Sequence, residues 1–144
     1  MARIYENETV YVAKVMKDYL NTWDKKPCEI LLEDFSKNPP SMIMQQLSGS
    51  VKKKEYVNGS YMASFPFAVY VRVNAIDTAS KLDATGVLNG LGRWLATNEL
   101  PDLDETMEAR KIEMTALPSL ALRHENGVED YQALFELEYY VRRK

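Results

Sequence analysis

Between Tyr61 and Asn74 the chain reads YMASFPFAVYVRVN, and strict alternation places Tyr61, Ala63, Phe65, Phe67, Val69, Val71 and Val73 on one side of an extended segment. Such a pattern predicts a long strand buried on one face. The other side carries Met62, Ser64, Pro66, Ala68, Tyr70, Arg72 and Asn74. Proline lacks the N–H that a central strand uses for pairing, so this strand is expected to be bulged or to run along a sheet edge. A long, aromatic-rich edge would call for a partner.

At 144 residues the chain is expected to form one domain, 1–144, with room for a substantial core. A net charge of -3, from 18 basic and 21 acidic residues, excludes a general polycation for nucleic acid. No apolar run approaches the roughly 18 residues of a membrane span. The opening MARIYENET lacks the basic and apolar blocks of a secretory signal, so assembly in the cytoplasm is expected. The lone Cys28 has no partner for a disulfide and is expected to be a small buried apolar residue.

Val12, Val15, Met16, Tyr19, Leu20 and Trp23 recur at helical spacing and predict an amphipathic first helix. Cys28–Phe35 predicts a first strand, followed by a loop with Pro39 and Pro40. A second extended segment runs from Met42 to Val57, broken at Ser48, Gly49 and Ser50, and Asn58-Gly59 supplies a tight turn into the long strand. Asp77 or Thr78 caps a second helix that ends near Thr97, with Leu82, Leu88, Leu91 and Leu95 on its apolar side. Its glycines 86, 90 and 92 weaken a helix and call for close packing on a sheet, or for a bend.

A two-residue turn at Asn126-Gly127 would pair Leu122 with Tyr131, Leu120 with Ala133, Pro118 with Phe135, Ala116 with Leu137, Met114 with Tyr139 and Ile112 with Val141. All fall on an apolar face, leaving Glu113, Thr115, Gln132, Glu136 and Glu138 on the polar one. The expected fold class is therefore α+β: an antiparallel or mixed β-sheet of about five strands with two helices packed on one face.

Chemical equipment is sparse. GLGRWL at 90–95 lacks the third glycine of a dinucleotide fingerprint and the Lys-Ser/Thr ending of a P-loop. His124, the single histidine, lies beside a turn and reads as an exposed turn residue. Asp102, Asp104, Thr106, Glu108 and Glu113 match positions 1, 3, 5, 7 and 12 of a calcium loop, but Met107 stands where that loop needs glycine. The segment reads better as a solvated acidic connection. No catalytic, cofactor or metal residue is expected.

Surfaces are more informative. Lys52, Lys53 and Lys54 form a basic arm, and Asp102, Asp104 and Glu105 belong to an acidic loop. In a ring the arm of one subunit would meet the loop of the next. Alternatively, the lysines cap a solvated hairpin tip, or touch DNA weakly and without sequence preference. Tyr70, Arg72, Tyr140 and Arg142 lie on faces left over once the core is assigned, and Tyr and Arg are common interface anchors.

The segments GSYMASFPFAVYVRVNA, LDATGVLNGLGRWL and EDYQALFELEYYVRR resemble minor capsid proteins of tailed phages of Gram-positive bacteria. That group is similar in element order to phage tail terminator proteins. The resemblance spans roughly residues 5–143. It implies a virion protein: a ring, usually of six subunits, that caps the tail tube, ends its polymerisation and joins the head-side connector. Its partners would be further copies of itself, the tube protein, the connector or stopper protein, and DNA in transit, with no membrane and no enzymatic activity. Two other readings stand beside it: a head-completion or stopper protein, and a small enzyme or ligand-binding domain with a pocket between the second helix and the sheet.

Overall fold

The computed structural model describes residues 2–33, 40–47, 52–74 and 78–142. Helices α1 (Ala2–Leu20) and α2 (Thr78–Thr97) accompany β1 (Ile30–Leu32), β2 (Ser41–Gln46), β3 (Lys52–Glu55), β4 (Tyr61–Asn74), β5 (Met107–Arg123) and β6 (Val128–Val141). The strands form one open, mixed sheet in the order β1-β2-β4-β6-β5, with β3 also paired to β4. Only β1 and β2 run parallel. This is the expected α+β class, with a sixth strand because the second extended segment divides into β2 and β3 along one flank of β4.

The helices follow their apolar stripes. Val12, Met16 and Leu20 of α1 are fully buried, and Trp23 packs into the same core from the turn beyond the helix. Ala84, Leu88, Leu91 and Leu95 of α2 join the same buried cluster as Phe65, Phe67, Phe135 and Leu137, so both helices cover one face. A Cβ on Gly92 would lie 2.6 Å from Met114 Cε, the flexible end of a side chain, so α2 runs close to the sheet there without strictly requiring glycine. Nothing in the structure explains Gly86. Asp77 and residues 48–50 lie outside the described residues. Cys28 is half-buried at the core margin rather than fully buried, and burial pushes its thiol up from the ordinary range.

Two expectations need correction. First, β4 spans the predicted residues but is central, flanked by β2 and β3 on one side and β6 on the other. Pro66 is tolerated because its carbonyl accepts from Leu47 N–H at 2.9 Å, so its missing N–H faces the same flank, in the interval between β2 and β3. The pairing with β6, Pro66 opposite Glu136, is undisturbed.

Second, the C-terminal hairpin forms, but not in the expected register. Gly59 and Gly127 have φ of 88° and 84°, whereas neither Asn58 nor Asn126 has positive φ, so neither turn is the two-residue type that needs both. The register then slips repeatedly through bulges in β5, and Ile112, expected opposite Val141, faces Leu137. β6 keeps its alternation, with Tyr131, Ala133, Phe135, Leu137 and Tyr139 buried. β5 keeps a weaker alternation to Pro118, with Leu117 on its exposed side, and loses it beyond, leaving Leu120 and Leu122 exposed. The long edge is thus β5, and its bulges, charges and Pro118 are the devices that discourage pairing with a further strand.

Candidate assembly surfaces

The acidic loop between α2 and β5 is anchored from several directions. Tyr11 of α1 donates its hydroxyl to the Leu103 carbonyl, and Tyr19 donates to the Glu99 carbonyl at 2.5 Å. Asp104 accepts from Thr106 N–H at 2.6 Å, Met107 N–H at 3.0 Å and the Thr106 hydroxyl at 2.9 Å, which turns the chain into β5. Glu108 and Glu113 are strand residues. Among the described residues no group of three His, Cys, Asp or Glu assembles to hold a metal ion. The loop instead borders a depression of about 470 Å³ floored by Leu103, Met107 and Ala109, with Asp102 and Glu105 exposed at its rim and Tyr140 and Arg142 at its side. Arg142 N–H donates to the Thr106 carbonyl at 2.7 Å, tying the end of β6 to the loop.

Across the sheet from this loop, the β3–β4 turn carries an aromatic and basic cluster. The Tyr56 and Tyr140 rings meet edge-on at 6.0 Å, Lys54 lies 5.3 Å from the Tyr56 centroid, and Arg110 lies 5.2 Å from that of Tyr140. Val57, at the tip, is 109% exposed. The side chains of Lys52 and Lys53 lie outside the described residues. Cross-strand pairing runs Lys54, Met62, Tyr140, Glu108. The basic arm and the acidic loop therefore border the same end of the sheet from opposite lateral sides, three strand spacings or roughly 14 Å apart.

The other half of the open face holds a charged cluster that spacing alone did not reveal. Arg72 of β4 binds Asp130 of β6 with two bonds, Nε to Oδ1 at 2.8 Å and Nη2 to Oδ2 at 3.0 Å. His124 Nε2 lies 3.0 Å from Asp130 Oδ2 and 3.3 Å from Arg72 Nη2. A guanidinium only donates, so Nε2 cannot satisfy both neighbours; the shorter contact and the carboxylate charge assign its proton toward Asp130. Burial pushes the Asp130 carboxyl upward, but hydrogen bonds from Arg72 and His124, together with their charges, outweigh it and hold the group below the ordinary carboxylate range. Tyr70 lies beside this cluster, in a shallow depression shared with Ile43, Gln45 and Leu122. That depression is lined from β2 and β5 as well as from β4 and β6 between them.

The predicted surface residues therefore divide. Lys54, Tyr140, Arg142, Asp102, Asp104 and Glu105 gather at one end of the sheet, with the backbone of Lys52 and Lys53. Tyr70 and Arg72 lie toward the other end, on the face opposite the helices. His124 is a member of an ion-pair cluster rather than a free turn residue. Asp130, Tyr56, Val57 and Arg110 were not found from sequence; Asp130 becomes visible only once β4 and β6 are known to pair.

No protein-family profile and no curated protein matches the chain in sequence. Among solved structures, a chain from the virion of a native gene transfer agent (GTA) particle is similar at TM-score 0.63 with 9% identity, the match covering 90% of this chain and 93% of that one. A second solved chain reaches TM-score 0.49 at 11% identity over 96% of both chains, too low to carry an argument. Identity at this level speaks for architecture alone: this chain shares, over nearly its whole length, the fold of a gene transfer agent virion chain.

Proposed function

We propose that the chain is a structural virion protein of a tailed phage and acts as a tail terminator, a ring of six subunits at the head-proximal end of the tail. The observation that supports this most is the fold it shares with a virion chain, over 90% of its length, together with the sequence resemblance to phage minor capsid and tail terminator proteins. The two opposed charged surfaces at one end of the sheet are suited to a head-to-tail contact between copies, the kind that closes a ring. In this reading one rim reproduces the contacts of a tube subunit and the other does not, so growth stops where the template ends. The tube protein lies on one side and the head-side connector on the other. The reading assigns no chemical step to any residue, and DNA passes with at most weak, salt-sensitive contacts.

Gold-labelled antibodies against this chain are expected at the head-proximal tip of detached tails. Label confined to heads would favour the head-completion or stopper role, and label on neither would exclude both.

A further inference from the structure

We infer that the depression bordered by the acidic loop is a socket for the β3–β4 turn of a second copy of this chain, with Val57 as the inserted side chain. This deepens the ring reading and rests on it, by naming the two surfaces that meet. Val57 lies at the tip of a hydrogen-bonded turn, held by Gly59 N–H to Tyr56 carbonyl at 2.9 Å and Tyr56 N–H to Ser60 carbonyl at 2.7 Å, yet it is fully exposed. Beside it are Tyr56, 39% exposed, and the exposed Lys54 on a lysine-rich strand. The turn is thus an apolar tip on a basic stem.

The depression is its complement. Leu103, Met107 and Ala109 form an apolar floor, and Leu100, 39% exposed, stands at its mouth. Asp104 is committed to Thr106 and Met107, and Glu108 faces Arg110 at 3.6 Å, which leaves the exposed Asp102 and Glu105 to meet incoming lysines, with Arg142 the one positive group on the lining. A volume of about 470 Å³ accommodates an apolar side chain and part of its turn. The two surfaces lie on opposite lateral sides of the same sheet end, so a rotated neighbour presents its turn to the loop, and the contact is head-to-tail. Charge complementarity selects a second copy, because one chain carries both halves of the match.

The test uses the full chain with Cys28→Ala, in two single variants, Val57→Cys and Leu100→Cys, mixed under mild oxidation and compared with each alone. Covalent dimers formed preferentially in the mixture are expected. Separately, Lys52→Glu, Lys53→Glu and Lys54→Glu together should weaken self-association about tenfold or more without altering the circular dichroism spectrum, and mixing with Asp102→Lys, Glu105→Lys should restore it. Oligomers that form without the mixed disulfide, and are indifferent to the charge reversal, overturn the socket while leaving the ring intact. A chain that sediments as a monomer even at millimolar concentration overturns both.

Discussion

Replacing Phe135 by alanine is expected to destabilise the folded chain by about 3–5 kcal/mol, a large share of the roughly 5–15 kcal/mol that holds a domain together. Phe135 is 1% exposed and stacks on Phe67 with ring centroids 5.4 Å apart and planes 17° apart. It also lies opposite Met114 on β5 and within reach of α2 at Gly92, so one ring joins β4, β5 and the second helix. Truncation loses the transfer energy of the ring and leaves a cavity that two long strands cannot easily collapse. Urea denaturation followed by circular dichroism measures the loss. Leu122→Ala, at a side chain 54% exposed, serves as the control and should change stability by no more than about 0.5 kcal/mol. A loss below about 1 kcal/mol for Phe135→Ala would mean that this stack is not the centre of the core.

Arg72→Ala should cost about 3 kcal/mol, because it removes the cation paired with the Asp130 carboxylate, whose side chain is only 5% exposed, and leaves the His124 contact at 3.0 Å. The pH dependence separates this from lost packing. In the native chain the folded Asp130 pKa lies below its unfolded value. Its contribution is therefore complete above the ordinary aspartate value of about 3.9 and is lost as pH falls through the lower, folded pKa. Without Arg72 the principal group that lowers the pKa is gone while burial, which raises it, remains. The stability gap between variant and native chain should then narrow on acidification from neutral pH. A gap that stays constant from pH 7 to about 3 would contradict the pairing.

Much of this fold is legible in the chain because its signals are local. The alternation of Tyr61–Asn74, the helical stripe from Val12 to Leu20 and the Leu88, Leu91 and Leu95 series each specify an element within one window. What failed depends on neighbours distant in sequence. Pro66 marks an interruption in the adjacent strand rather than an edge, and no local feature announces that β2 and β3 follow one another along β4. The bulges of β5 likewise show only in its pairing with β6, although Pro118 lies within one of the register shifts. Of the candidate surface, the charged residues were visible as clusters, but the depression beside the acidic loop was not. It depends on Tyr11 and Tyr19 of α1 reaching carbonyls far along the chain.

The helices and one sheet face form the core, while exposed large apolar side chains stand at the β3–β4 turn, at Leu100, along β5 and on α1. Electron microscopy of lysates from a phage that encodes this chain, with a stop codon placed early in its gene, tests the central claim most directly. The account predicts overlong tails detached from filled heads. Tails of normal length beside empty or leaking heads would contradict it and move the chain to the head side of the joint.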